Sequence, residues 1–271
     1  MLYLRSICDK NNITVRSFVK LSISMKSIQE PIADLVSIAK SEGIPAVQIA
    51  CGDRAAISLK ASKKKKADLK ASLASAGITI SSLSCDIAYP GLDGILEFKS
   101  QLSDHLEIAE ELDAKSITIL GSTWHGWDRR ANYIDHISNA MIEQLEADSG
   151  SAKLLMQNHR GACNSFDCIE FAQYVTHPRF GIVFSTANSH MVQDGNLGGV
   201  LQANARWLWG VSTSDVNEDG KGVAPGDGKV DLKTTVKYQK SQRFRGWYTW
   251  DRSIYSAEDG AAKFKAAIGA K

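Results

Sequence analysis

Two histidines and a carboxylate are the residues of this chain best suited to chemistry. His159 follows the run Lys153 to Gln157, His190 lies just beyond the run Gly181 to Ser185, and Asp251 closes the run Gly246 to Trp250. An imidazole binds a metal or moves a proton near neutral pH, and a carboxylate can serve as a general base. Each stands at the C-terminal end of a short β-branched or apolar segment. Other segment ends supply Cys51 and Asp53, Cys85 and Asp86, Trp124 and His125, Asn158, Asn188, Ser212, Asp215 and Arg252. In Trp124-His125-Gly126-Trp127 two indoles flank an imidazole, and aromatic faces pack against the apolar face of a sugar ring.

These residues need a scaffold that gathers segment ends. The chain alternates short apolar runs with longer amphipathic stretches, and the strands expected are Val15 to Ser22, Ala46 to Ala50, Thr79 to Cys85, Ser116 to Leu120, Lys153 to Gln157, Gly181 to Ser185, Leu208 to Ser212 and Gly246 to Trp250. Helices are expected between them, at Ile28 to Glu42, Ala67 to Ala76 and Leu92 to Leu112 among others, with Gly43 and Gly77 as stop signals. Strands separated by helices pair in parallel. Eight such units in one chain predict an α/β fold, a single-domain (β/α)8 TIM barrel over residues 1–271 with its core at about 15–268. The strand C-termini are then its chemical face. No GxGxxG follows the first strand, so the phosphate cradle of a dinucleotide site is missing.

The 32 Lys and Arg residues nearly balance the 30 Asp and Glu, which argues against a nucleic-acid binder. No run approaches the roughly 20 apolar residues of a membrane span, and the opening segment does not read as a secretory signal. Five cysteines without CxxC spacing suit reduced thiols, so a cytoplasmic protein is expected.

The segment ends resemble those of the xylose isomerase-like TIM barrels, a superfamily of sugar and sugar-phosphate isomerases and epimerases that also holds family 2 apurinic endonucleases. Gln157-Asn158-His159-Arg160-Gly161 resembles the family's ENHGG strand end, and the stretch from Gly181 to His190 resembles GLNLDTGNFH. Val211 to Asp215 stands where VHVKD is usual, Gly226 to Asp231 resembles a GEGEVD loop, and Gly246 to Asp251 resembles GYLTIE. The resemblance implies a divalent metal of the Mn, Mg or Zn type, held in the family by Glu, Asp, His and Glu. Here Gln157, Ser185, Ser212 and Asp251 occupy those positions, and only the last keeps a carboxylate. No metal ligand set is therefore assigned, and the cofactor stays undetermined.

Two functions remain open. The first is a sugar isomerase or epimerase with a rearranged site built from His159, His190 and Asp251, with Asp86 or His125 as further candidates. The second is a pseudoenzyme that binds a carbohydrate, polyol or partner. In either, Trp124, His125, Gln157, Asn158, Ser185, Ser212 and Arg252 are the expected substrate-binding residues. A strand end misplaced by one or two residues would shift the ligand assignment. The resemblance also allows a homo-oligomer.

Other motifs are read structurally. Asp215-Val216-Asn217-Glu218-Asp219-Gly220 imitates the start of a calcium loop, but Gly226 stands where the bidentate carboxylate belongs. Lys63 to Lys66 reads as a solvated face preceding a helix. Trp207, Trp209, Trp247 and Trp250 read as packing residues, and Cys163 and Cys168 as small residues without a paired base.

Overall fold

The computed structural model describes residues 19–87, 92–121, 129–160, 163–192 and 197–270. In chain order the elements are β1 (Lys20–Ser24), α1 (Ile32–Ser41), β2 (Ala46–Cys51), α2 (Lys63–Ser75), β3 (Thr79–Cys85), α3 (Ile95–Glu111), β4 (Ser116–Leu120), α4 (Arg130–Ala147), β5 (Lys153–Gln157) and α5 (Ser165–Val175). There follow β6 (Phe180–Ser185), α6 (Thr186–Val192), α7 (Leu197–Asn204), β7 (Leu208–Thr213), a small hairpin of β8 (Asp215–Val216) and β9 (Gly222–Val223), α8 (Leu232–Ser241), β10 (Trp247–Trp250) and α9 (Gly260–Ile268). Strands β1 to β7 and β10 close into a barrel in the order β1-β10-β7-β6-β5-β4-β3-β2, and every pairing within it is parallel. The protein is a (β/α)8 barrel.

The strands alternate because their two faces meet different surroundings. One face, including Ile23, Val47, Ile49, Leu83, Ile117, Leu154, Met156, Phe184 and Val211, is buried beneath the helices. Leu35, Phe98, Leu106, Ile137, Phe171 and Phe264 meet it from the helices, and each such buried side chain contributes roughly 1.5 to 3 kcal/mol. Trp250 stacks on Phe264 with ring centroids 6.5 Å apart, which fixes this as the outer face of β10.

Three helix starts differ from the sequence expectation, and the simplest is α3, which begins at Ile95 after a 3-10 turn at Leu92–Gly94 instead of at Leu92. The apolar spacing carried α1 back to Ile28, but the helix begins only after Pro31, because the residue before a proline is kept out of the helical region. Glu30 is therefore free to turn inward. Helix α2 starts earlier than expected, at Lys63, where the Ser62 hydroxyl caps it by accepting the Lys65 N–H at 3.2 Å. Lys63 to Lys66 thus form its first turn instead of preceding it. Gly43 and Gly77 adopt φ of 61° and 69° beyond α1 and α2, the left-handed stop that glycine allows.

Candidate functional site

The inner face of the barrel follows from the register. Paired residues of parallel neighbours point to the same side, and a single chain of pairings runs Ser22 with Thr249, Thr249 with Ser212 and Ser212 with Ser185. On the other side Ser24 pairs with Gln48, Gln48 with Ser82, Ala50 with Ser84, and Ser84 with Thr118, while Leu120 pairs with Gln157. This face is rich in hydroxyls and amides, interspersed with Ala50, Leu120, Leu155 and Val183, where such barrels usually carry bulky branched residues throughout. Its buried hydroxyls satisfy one another: Ser82 Oγ lies 2.7 Å from Thr118 Oγ1, and Ser22 Oγ lies 2.6 Å from Ser81 Oγ. Ser81 sits where the β2 and β3 register slips, which lets it reach across β2 to β1.

The N-terminal end of the barrel is closed. A side chain at Gly181 would collide with the Trp209 indole, and the Lys153 ammonium stands 3.6 Å above that ring. Burial lowers the Lys153 pKa, with Arg179 adding to the effect. At the C-terminal end, Ser84 and Leu120 are exposed and Gln48, Gln157 and Asp251 half-buried, so this is the mouth.

Ser212 and Asp251 meet at the mouth. The Ser212 hydroxyl donates to Asp251 Oδ2 at 2.9 Å, and the Ser253 N–H and hydroxyl donate to Oδ1 at 3.1 and 2.6 Å. His190 lies on α6, half-buried, with Nδ1 enclosed and without a hydrogen-bond partner among the described residues. His159 is half-buried beyond β5, its backbone N–H donating to the Cys163 carbonyl at 2.7 Å. Trp124 and His125 lie outside the described residues.

Two of the expected substrate contacts are buried in contacts within the scaffold. Asn158 is 1% exposed, and its side chain is a clip between β5 and β6. Its Oδ1 accepts the Ser185 N–H at 2.7 Å, while Nδ2 donates to the Ser185 carbonyl and to Ser189 Oγ, which in turn meets Ser165 Oγ at 2.7 Å. Both amide hydrogens and one lone pair of Oδ1 are taken up in this clip. Arg252 is also withdrawn, because its Nη1 donates to both carboxylate oxygens of Glu30 at 2.9 and 3.0 Å. The two side chains are 4% and 2% exposed.

Sequence reasoning missed Glu30 and the inner hydroxyl face. The proline after Glu30 was the available signal for the first, and the alternating Ser and Thr of Ser22-Ile23-Ser24 and Ser116-Ile117-Thr118 for the second. Asp86, an alternative catalytic carboxylate, lines a separate outer cleft of about 580 Å³ with Asp53, Arg54, Lys60 and Asp104. Strands β1 and β2 stand between its strand and the one that ends beside Asp251.

The calcium-like segment is something else. Asp215 is fully buried and accepts the backbone N–H groups of Val216, Gly226, Gly228 and Val230 at 2.8 to 3.0 Å, so its carboxylate organises the loop after β7. Cys163 and Cys168 are buried with their sulfurs 3.6 Å apart. The hydrogen bond to Cys163 and burial push the Cys168 thiol well up, which suppresses the thiolate a nucleophile needs.

The metal position can be tested on its donors. Hard divalent ions want several carboxylates or imidazoles, and here an amide, two hydroxyls and one already hydrogen-bonded carboxylate stand at the strand ends. This donor set does not fit such an ion. Among the described residues no group of three His, Cys, Asp or Glu side chains is placed to hold a metal.

A closed parallel barrel with a polar mouth at the strand C-termini defines a TIM-barrel protein. Residues 36–268 match the xylose isomerase-like TIM barrel profile, and the chain belongs to that family. No curated protein matches it in sequence. Among solved structures it is similar to D-psicose 3-epimerase from Clostridium cellulolyticum H10, solved with D-tagatose, at TM-score 0.74 and 13% identity over 93% of this chain and 97% of that one. The IOLI protein with a bound zinc atom gives 0.75 and 15% over 92% and 96%. The probable 3-DHS dehydratase AsbF of Bacillus anthracis gives 0.72 and 12% over 93% and 98%. At these identities the likeness is one of fold, and the named activities already differ.

Proposed function

We propose that this protein acts on or binds a small carbohydrate or polyol at the C-terminal mouth of its barrel, as a sugar isomerase or epimerase-like protein whose divalent-metal position is degenerate. The observation that carries this reading is the inner face itself. Serine hydroxyls and glutamine amides both donate and accept hydrogen bonds, as sugar hydroxyls do, and the Ser212 and Ser253 hydroxyls hold one carboxylate beside them. The epimerase among the solved structures adds support at the level of fold.

Within this reading, the lost metal donors favour a non-catalytic binding protein. Metal-free proton transfer beside a carbonyl is the second form, with Asp251 as base and His190 or His159 as acid. The unpartnered Nδ1 of His190 favours it, since a buried nitrogen without a partner is rare and costly. We read the protein as cytoplasmic and without a nucleic-acid or membrane partner, from its balanced charge and unpaired cysteine pattern, and family likeness allows a homo-oligomer. Among the described residues no helix is long and apolar enough to cross a membrane.

The test is elemental analysis of protein purified without chelator, beside a variant carrying Gln157→Glu, Ser185→Asp and Ser212→His together. The expected result is substoichiometric metal in the native chain and about one ion per subunit in the variant. One Mn, Zn or Mg per native subunit would overturn the degenerate site. Incubation with ketoses in deuterium oxide, followed by NMR, then separates the two forms: deuterium at carbon shows proton transfer, and binding without exchange shows a binding protein.

A further inference from the structure

We propose that Cys163 and Cys168 form a reversible disulfide on oxidation, which ties the exit of β5 to the first turns of α5. The two sulfurs are already neighbours, 3.6 Å apart, and both residues are buried. Their places on α5 explain why they meet. Asn164 caps the helix and closes a capping box with Asp167, so Cys163 stands just before the cap and Cys168 at the fourth helical position. Side chains at those two positions pack together and fix the angle at which the chain enters the helix. An apolar pair would do this equally well, whereas two thiols add a bond that can be made and broken. In a reducing compartment such transient disulfides report oxidation.

The surroundings direct both thiol hydrogens. Cys163 Sγ donates weakly to the Asn164 carbonyl at 3.8 Å, which leaves its sulfur to accept from Cys168. Cys163 is then the sulfur that reacts first with hydrogen peroxide. It attacks one peroxide oxygen, the O–O bond breaks, the thiol hydrogen leaves with the departing oxygen as water, and Cys163 keeps a sulfenic hydroxyl. Cys168 Sγ next attacks Cys163 Sγ, the S–O bond breaks, and the Cys168 hydrogen leaves with that oxygen as a second water. The thiols are oxidised and the peroxide is reduced. No free Cys168 thiolate is required, so the contacts that keep this thiol protonated slow the step without blocking it.

The bond reaches the candidate site through the backbone. The Cys163 carbonyl accepts the His159 N–H at 2.7 Å, and a Cβ at Gly121 would strike the Cys163 side chain. Ser165 meets Ser189 Oγ, which Asn158 also holds. Drawing the sulfurs from 3.6 Å to a bond of about 2.05 Å therefore shifts Cys163 towards α5 with the His159 backbone hydrogen-bonded to it.

The experiment treats the native full chain with hydrogen peroxide, blocks free thiols with iodoacetamide in denaturant, and reads the tryptic peptide from Gly161 to Arg179, whose only cysteines are these two. The expected peptide is unalkylated, lighter than the reduced form by two hydrogen atoms, and restored by dithiothreitol. Hydrogen exchange at His159 and at Ser165 to Cys168 should slow by about tenfold in the oxidised protein. Cys163→Ser is expected to leave Cys168 reduced under the same treatment; oxidation of Cys168 there at the native rate overturns the role given to Cys163. Sulfinic or sulfonic acid at either position overturns the proposal, as do free thiols at both after the buried Cys51 has oxidised. A disulfide that forms only in urea concentrations that unfold the chain overturns it as well, because nearness in sequence and not the folded contact would then be its cause.

Discussion

Ser212 donates its hydroxyl proton to Asp251 across the boundary between β7 and β10, so the carboxylate at the end of β10 is committed to a neighbouring strand. Ser212→Ala removes a hydrogen bond to a charged group that is only half-buried, and water can take its place. A loss of about 1 kcal/mol in urea unfolding is expected, with an unchanged m-value. A loss above roughly 3 kcal/mol would show that the carboxylate depends on Ser212 as a fully buried charge does.

The Asn158 clip predicts a larger effect. Asn158→Ala leaves the Ser185 N–H and the Ser189 hydroxyl without their partner in a closed space, at a cost of about 2 to 4 kcal/mol. Asn158→Asp keeps the shape, loses both donors and sets a carboxylate against the Ser185 carbonyl. It should be at least as damaging in denaturant unfolding; near-wild-type stability for both variants would refute the clip.

The loop around Asp215 gives a third prediction. Gly228→Ala forces a Cβ against Asp215 Oδ1, and Asp215→Ala orphans four backbone N–H groups. Each should cost on the order of 3 kcal/mol. Added calcium should leave the melting temperature of the native protein unchanged, since these oxygens are already taken. A calcium-dependent rise in melting temperature that Asp215→Ala abolishes would restore the calcium-site reading.

Burial pushes the Cys51 thiol from 9.0 to about 12, opposed weakly by Lys66. The unfolded chain ionises first as pH rises, so between pH 9.0 and about 12 the folded state holds the extra proton and loses stability progressively. Below pH 9.0 this contribution is fully present. Cys51→Ala should flatten the alkaline part of the unfolding free-energy profile. Native Cys51 should also resist iodoacetamide near pH 8, and labelling as fast as in denaturant would contradict the burial.

Glu30 and Arg252 should behave as a coupled unit. Either single replacement by methionine strands a buried charge and is expected to cost about 3 to 5 kcal/mol, whereas the double replacement should cost less than either. Additive losses in the double-mutant cycle would show that the pair does not interact.

The barrel was legible from sequence because its interior is polar. In Ser116-Ile117-Thr118-Ile119 the serine and threonine face the hydroxyl network and the isoleucines face the helices, so the strand shows a period of two that buried parallel strands usually lack. The observed β3, β4 and β5 have the bounds read from the residues alone. The site was harder to read. Arg252 and Asn158 stand at strand ends exactly as ligand-binding residues do, and only contacts to Glu30, 222 positions away, and to Ser185, 27 away, reveal that they serve the scaffold. The same apolar spacing that found α1 concealed Glu30, because Ile28 and Ile32 continue the helical period across the proline.

The division of the strands between two faces separates two evolutionary problems. Outward residues answer to the helices and carry the fold, whereas inward residues near the mouth answer to whatever enters. A hydroxyl-lined interior closed below by Trp209 and Lys153 can therefore exchange one recognition pattern for another through single inward substitutions such as Gln48, Ser84 or Gln157 without spending the packing that keeps the barrel folded. The molecule is a cup whose wall can be relined while its frame stays unchanged.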